Sequence, residues 1–323
     1  MPDNFATVRF DQTARQKAFL SYHIPVRVLV TGASGLLGSA LMPALRNAGH
    51  EAVALVRRAP RAGAAEIQWD PGGAIDGSRF SGADAVVHLA GENVGAGRWS
   101  EQRKALILNS RVQGTQTIAA SMARANPKPR VLVSASANGI YGETGDKVVA
   151  ESDPPGSTFL SEVGRQWEQA TRAASEAGIR TVMLRTGMVL SATGGALPRM
   201  LPPFRMGAGG RIGDGRQWMS WIALDDVVAL ILFALTNESL RGPLNAVAPN
   251  PVTNAEFTRV LGAVLHRPTL FPVPAFVVRT VFGQMGEELL LASNRAVPRA
   301  ALAGGFQFRY PELRGALQHV LGK

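Results

Sequence analysis

The stretch Val28-Leu29-Val30-Thr31-Gly32-Ala33-Ser34-Gly35-Leu36-Leu37-Gly38 constrains this chain more than any other. A short apolar run reads as a buried parallel strand, and glycines spaced three apart follow it at once. Residues from Ser39 to Ala48 continue in helical style and stop at Gly49, a residue type that tolerates the left-handed backbone after a helix. Strand, glycine turn and helix start together make a place for a phosphate. Glycine lets the backbone approach the group, and the free N–H groups of the first helical turn carry partial positive charge. The spacing is G-x-x-G-x-x-G, not the G-x-G-x-x-G of the commoner fingerprint. Its setting between strand and helix predicts a phosphate site at Gly32, Ser34, Gly35, Leu36, Leu37 and Gly38; the alternative is a bare tight turn.

Glu51 to Val56 reads as the next strand, and it ends at Arg57-Arg58. An NAD site places Asp or Glu at this strand end to accept hydrogen bonds from the ribose 2′-hydroxyl. No acid stands here; Glu51 lies at the opposite end. Two guanidinium groups suit a 2′-phosphate, which they grip in bidentate fashion. The cofactor expected is NADP(H); the bland alternative is that Arg57 and Arg58 are solvated loop charges.

The absence of cysteine excludes disulfides, thiolate metal sites and cysteine nucleophiles, and the five histidines lack metal-ligand spacing, so no metal is expected. The formal charge of +10 invites a nucleic-acid reading. The basic residues are mostly single arginines without a Lys/Arg run, however, and an anionic cofactor with an anionic small-molecule substrate explains the excess as well. No segment approaches the roughly 18 continuous apolar residues of a membrane span. Residues Met1 to Pro25 lack the charged-then-apolar order of a secretion signal and read as a poorly ordered extension of a cytoplasmic protein.

Further strands are expected at Glu66–Asp70, Asp84–Gly91, Arg130–Ser134 and Arg180–Arg185, and helices at Ser100–Arg124 and over most of Pro155–Gly178. Strands alternating with helices predict an α/β fold, a doubly wound parallel sheet of the Rossmann type with ligands at the carboxyl ends of its strands. Those ends are Gly32, Arg57, Asp70, Gly91, Ser134 to Ser136 and Arg185. The nucleotide domain is expected over 26–242, with a glycine- and proline-rich loop at 191–215. Residues 243–323, with helices at Asn254–His266 and Pro274–Glu288, are expected to form a smaller domain closing over the substrate side.

By these features the chain resembles the extended short-chain dehydrogenase/reductase superfamily, which contains nucleotide-sugar epimerases. Thr31 to Gly38 matches its cofactor loop, His88-Leu89-Ala90-Gly91 its strand-four motif, and Ser134-Ala135-Ser136 through Tyr141-Gly142 its catalytic-serine strand. More narrowly, the chain is similar to an epimerase-like family with a C-terminal extension. The matching stretches are Leu89-Ala90-Gly91-Glu92-Asn93, Arg98-Trp99, Ser110 to Thr115, Arg185 to Leu190 and Gln217 to Ile222. The resemblance implies NADP(H) contacts by Leu89, Ala90, Gly91, Glu92, Arg98, Arg111, Ser134 and Arg185 as well as by the glycine turn.

One departure bears on chemistry. The superfamily uses Tyr-x-x-x-Lys, in which lysine lowers the tyrosine pKa so that a phenolate exchanges a proton with the substrate hydroxyl. The tyrosines here, Tyr22, Tyr141 and Tyr310, are followed four residues on by Val26, Gly145 and Arg314. Matching Trp167-Glu168 to the end of the family helix puts Leu160 and Gly164 where tyrosine and lysine belong. Arg111 stands where relatives often carry asparagine, and Ala223 where they often carry histidine. Near the expected nicotinamide the candidates are then Ser136, Tyr141 and Glu92, with Arg98 and Arg111. Ser136 either bonds a substrate carbonyl or pairs with backbone; Tyr141 either donates a proton or shapes the pocket wall; Glu92 is a ribose ligand or a base. Asp70 either binds cofactor or is a turn aspartate before Pro71, and Trp99, Trp218 and Trp221 line a pocket or belong to core and rim. Two functions follow: an NADP(H)-dependent oxidoreductase or epimerase, or a protein that binds NADP(H) as a sensor without turnover.

Overall fold

A computed structural model describes residues 26–73 and 75–323; the expected N-terminal extension lies outside the described residues. Strand β1 (Arg27–Thr31) leads through the glycine turn into helix α1 (Leu36–Asn47) and on to β2 (Glu51–Val56), β3 (Glu66–Gln68) and β4 (Ala85–His88). Helix α2 (Glu101–Arg124) starts at Ser100, whose hydroxyl accepts the Arg103 N–H, and returns the chain to β5 (Val131–Ala137). Helices α3 (Phe159–Gln169) and α4 (Arg172–Glu176) precede β6 (Arg180–Thr186). The seven strands of the central sheet, closed by β7 (Gly242–Ala246), run in the order β7-β6-β5-β4-β1-β2-β3, and every pair is parallel.

Both faces of this sheet are covered, which is why its strands read as continuous apolar runs. Successive side chains alternate between faces. Val28 and Val30 of β1, Ala85 and Val87 of β4, and Val131 and Val133 of β5 pack with α1 residues Leu41 and Leu45 and with helix α6 (Leu224–Thr236). Leu29, Val86 and Leu132 face the other way, onto Ile118 and Met122 of α2. Order reverses between β1 and β4, so the carboxyl ends of β1, β2 and β4 open one crevice above the glycine turn.

The expected boundary at 242/243 falls on β7, which pairs with β6 from Gly242 to Ala246. A second apolar cluster sits beyond the sheet. It joins Leu197, Leu201 and Phe204 of α5 (Leu197–Arg205) and Trp221 to Phe257 and Leu261 of α7 (Asn254–Leu265) and to Leu313 and Leu317 near the C-terminus. Residues between β6 and α6 therefore share a core with the chain's last third, as does part of the loop expected at 191–215. Helix α8 (Ala275–Phe282) and the helix Leu313–Leu321 complete this unit. Among the described residues no helix is long and apolar enough to cross a membrane.

Candidate nucleotide site

The glycine turn is built from contacts that exclude side chains at Gly32 and Gly38. Gly32 takes a φ of +66°, and a Cβ there would stand 2.8 Å from the carbonyl carbon of Leu89. A Cβ at Gly38 would lie 2.2 Å from the Gly32 oxygen. Gly35 caps α1 with an extended backbone, offers no side-chain cap, and is followed by no acid in the first turn. The first-turn amides thus await an acceptor from outside the helix. The loop after the strand Met188–Leu190 crosses this point, with Gly194 and Gly195 packed on Leu36.

Arg57 and Arg58 stand exposed at the carboxyl end of β2, as expected. They differ in what they can do. Arg58 donates from Nη1 and Nη2 to Glu66 at 2.9 and 2.6 Å, a bidentate pair that holds the Glu66 carboxyl down at about 2. Arg57 forms no ion pair among the described residues. Asp70 lies in an exposed turn and accepts the Gly72 N–H at 3.0 Å.

The strand-four motif is anchored from β1. Thr31 Oγ1 accepts the N–H groups of Leu89 and Ala90 at 3.0 and 3.2 Å, which spends its lone pairs. Its own hydrogen then goes to His88 Nδ1 at 2.8 Å, assigning a neutral imidazole protonated on Nε2. His88 is fully buried, its Nε2 has no partner among the described residues, and its ring meets that of Trp69 edge-to-face with ring centres 5.9 Å apart. Burial pushes its pKa down to about 4. The unfolded chain takes up this proton below 6.5 while the folded chain refuses it until about 4, so stability is lost as pH falls through that window. Between pH 7 and pH 5 the loss expected from this group is about 2 kcal/mol, at 1.36 kcal/mol per unit. Urea denaturation at both pH values checks it, and His88→Gln should flatten the difference.

Ser136 and Tyr141 are drawn into a buried network. Arg185, 5% exposed, donates from Nε and Nη2 to the two oxygens of Glu168, both at 2.8 Å. Ser136 Oγ donates to Glu168 Oε1 at 2.7 Å. Arg185 Nη1 donates to the Tyr141 hydroxyl at 2.9 Å, and Tyr141 donates onward to Asn245 Oδ1 at 2.7 Å. Burial raises the Tyr141 pKa above the ordinary phenol value against the opposing Arg185 charge. Both hydroxyls and the Arg185 guanidinium are thus committed inside the protein, tying β5, β6, β7 and α3 together. Ser134 is fully buried, its hydroxyl 3.4 Å from the Ala135 carbonyl.

The place of the missing pair has a packing reason. A Cβ at Gly164 would meet Ile140 Cβ at 2.8 Å, so α3 approaches the turn Asn138–Tyr141 too closely for a lysine. The start of α3 is held from the C-terminal unit: Glu288 accepts the N–H groups of Phe159 and Leu160 at 3.2 and 2.9 Å.

Glu92 keeps a carboxylate 42% exposed, with Oε1 bonded by Arg103 Nη2 at 3.0 Å. Arg111 lies beneath it, buried, and donates from Nη2 to the Glu92 carbonyl at 2.9 Å. Arg98 is exposed and donates to the Thr280 carbonyl at 3.1 Å, bracing α8. Trp221 is core; Trp99 is buried and donates to the Val94 carbonyl; Trp218 lies under Arg295 at 3.8 Å. Sequence reasoning passed over Glu168, Glu66 and Asn245. Of these Glu168 was within reach, because it follows buried Gly164 by one helical turn and so shares its face.

Residues 28–246 match the NAD dependent epimerase/dehydratase family, and residues 273–320 match a domain of unknown function, DUF1731. An epimerase family protein of Mycobacterium leprae is 45% identical over 294 residues, covering 91% of this chain and 95% of the relative. The human epimerase family protein SDR39U1 (isoform 2), crystallised with NADPH, superposes with a TM-score of 0.85 at 36% identity, over 92% of this chain and 99% of that one. MoeE5, solved with UDP-glucose and NAD, gives a TM-score of 0.72 at 26% identity, over 92% of this chain and 97% of the other.

Proposed function

The chain belongs to the NAD dependent epimerase/dehydratase family, and from that premise we propose that it binds NADP(H) and exchanges hydride and proton with an anionic, hydroxyl- or carbonyl-bearing small molecule such as a sugar nucleotide. The observation that carries the reading is the uncapped, acid-free first turn of α1 beside a strand end where Arg57 stands and no acid does. The human relative crystallised with NADPH and the neighbour solved with UDP-glucose support it. Gly32 and Ser34 to Gly38 hold the diphosphate at the helix start, and Arg57 meets the 2′-phosphate with Arg58 beside it, steadied by Glu66. The backbone of Leu89 to Glu92, set by Thr31, flanks the cofactor, with Asp70 towards the adenine side. When bound, NADP(H) supplies or accepts the hydride.

Proton exchange falls to Glu92 or to water beside its carboxylate, because Ser136 and Tyr141 spend their hydrogens inside the protein. With Ser134 and Arg185 these two lie buried behind the site and shape it through the strands they tie together. Glu92→Gln should remove turnover without altering NADPH affinity. A second reading, an NADP(H)-binding regulatory protein without turnover, is favoured by Leu160 and by the packing of Gly164. Complete lack both of NADPH oxidation and of any epimerised product over a broad carbonyl and sugar-nucleotide panel selects it.

The cofactor assignment has its own test. NADPH should bind more tightly than NADH, and Arg57→Ala should weaken NADPH alone by about 1.5–3 kcal/mol, the range for a charge-assisted hydrogen bond. Equal dissociation constants for the two nucleotides in the unmodified protein would remove the 2′-phosphate site from β2.

A further inference from the structure

Two arginines among the described residues are buried, and only one is held in a contact ion pair. Arg185 carries Glu168; Arg111 has no carboxylate in ion-pair range. Its Nη1 and Nη2 donate to the backbone oxygens of Ile107 and Glu92 at 3.0 and 2.9 Å, and its guanidinium carbon lies 4.9 Å from the centre of the Trp167 ring. A buried cation without a carboxylate in contact is expensive to keep, and Glu92 acts on this one only from beyond ion-pair range, against the Arg103 charge. Burial draws this one below the ordinary arginine value, to about 10. One flank is open: a Cβ at Gly91 would stand 3.5 Å from the guanidinium carbon, and glycine leaves that space empty.

The position of that open flank follows from strand order. With the diphosphate at α1 and the 2′-phosphate at β2, the other half of the dinucleotide runs across β4 and β5. Gly91 follows β4 by three residues. Trp167, on which Arg111 rests, follows Gly164 by three positions and so lies on the same side of α3. A positive charge thus occupies the neighbourhood of the absent lysine, delivered from α2.

We propose that Arg111 takes over from the lysine missing at Gly164, presenting its cation through the gap at Gly91 to the oxygen-rich ribose-phosphate of the nicotinamide half of NADP(H). This rests on the NADP(H) reading, and the test separates the two by using adenosine 2′,5′-bisphosphate, which carries the adenine half alone. Titration of Arg111→Met should show NADPH affinity lowered by about tenfold or more, the effect of one charge-assisted hydrogen bond, with bisphosphate affinity unchanged. Arg111→Lys should restore most of the NADPH affinity. Gly91→Ala, which fills the gap with a methyl in ordinary van der Waals contact with the unaltered arginine, should weaken NADPH and spare the bisphosphate; it serves if Arg111→Met does not fold. Unchanged NADPH affinity in folded Arg111→Met or in Gly91→Ala, or parallel loss of both nucleotides, overturns the proposal in favour of a structural arginine. If the unmodified protein binds neither nucleotide, the NADP(H) reading itself fails and this inference falls with it.

Discussion

Gly35→Val should yield a folded protein that no longer retains NADPH, while Gly38→Val, three residues on, should lose the fold around the turn. A Cβ at Gly35 meets only the Gly32 oxygen, at 3.2 Å, so the chain can accept it with a small adjustment. The branched side chain then fills the space in front of the α1 amides, where a diphosphate must sit. At Gly38 the added carbon would lie 2.2 Å from the Gly32 oxygen and 2.6 Å from the Ala33 Cα, both backbone atoms that cannot rotate away. Overpacking of this kind costs about 1–3 kcal/mol and occasionally more, and rigid backbone on the receiving side puts this substitution at the upper end. Circular dichroism with thermal denaturation reads the fold, and NADPH fluorescence titration reads the site. Normal NADPH binding by a folded Gly35→Val protein would place the phosphate site elsewhere.

The second large effect belongs to the network under the carboxyl ends of β5 and β6. Arg185→Met should destabilise the protein by about 3–5 kcal/mol, because it strands the Glu168 carboxylate inside the protein. Adding Glu168→Leu should recover much of that loss, since replacing both members of a buried pair with apolar groups removes the uncompensated charge. Chemical denaturation of the single and double variants measures both. Tyr141→Phe should cost about 1–3 kcal/mol, since it removes two buried hydrogen bonds and leaves Asn245 Oδ1 without that donor, and should leave any turnover intact. Abolished turnover in a stable Tyr141→Phe protein would return the proton-donor role to this residue.

Patterns local in the chain were legible before any coordinates. The β1–turn–α1 unit, the α2 start at Ser100, and β2 with its bare arginine end are set by apolar periodicity, capping chemistry and glycine placement, all of which act over a few residues. The absence of a Tyr-x-x-x-Lys pair was equally plain. β7 was not, because Gly242–Ala246 is short, and its Pro243 and Asn245 break the apolar run that marked the other strands.

Pairings between distant segments stayed hidden. Arg57 and Arg58 read alike in the chain, yet Glu66, eight residues beyond Arg58, engages one and leaves the other. Ser136 and Arg185 read as site residues because each ends a strand, and Tyr141 because the resemblance places it near the nicotinamide. Only the convergence of α3, β5, β6 and β7 commits their polar atoms to one another, since a buried polar group must find its partner wherever the fold brings one. The sequence by itself determined the nucleotide-binding scaffold, through periodicity and turn chemistry. The tertiary structure decided which of its polar side chains are still free to meet a ligand, because hydrogen bonds and ion pairs form between neighbours in space.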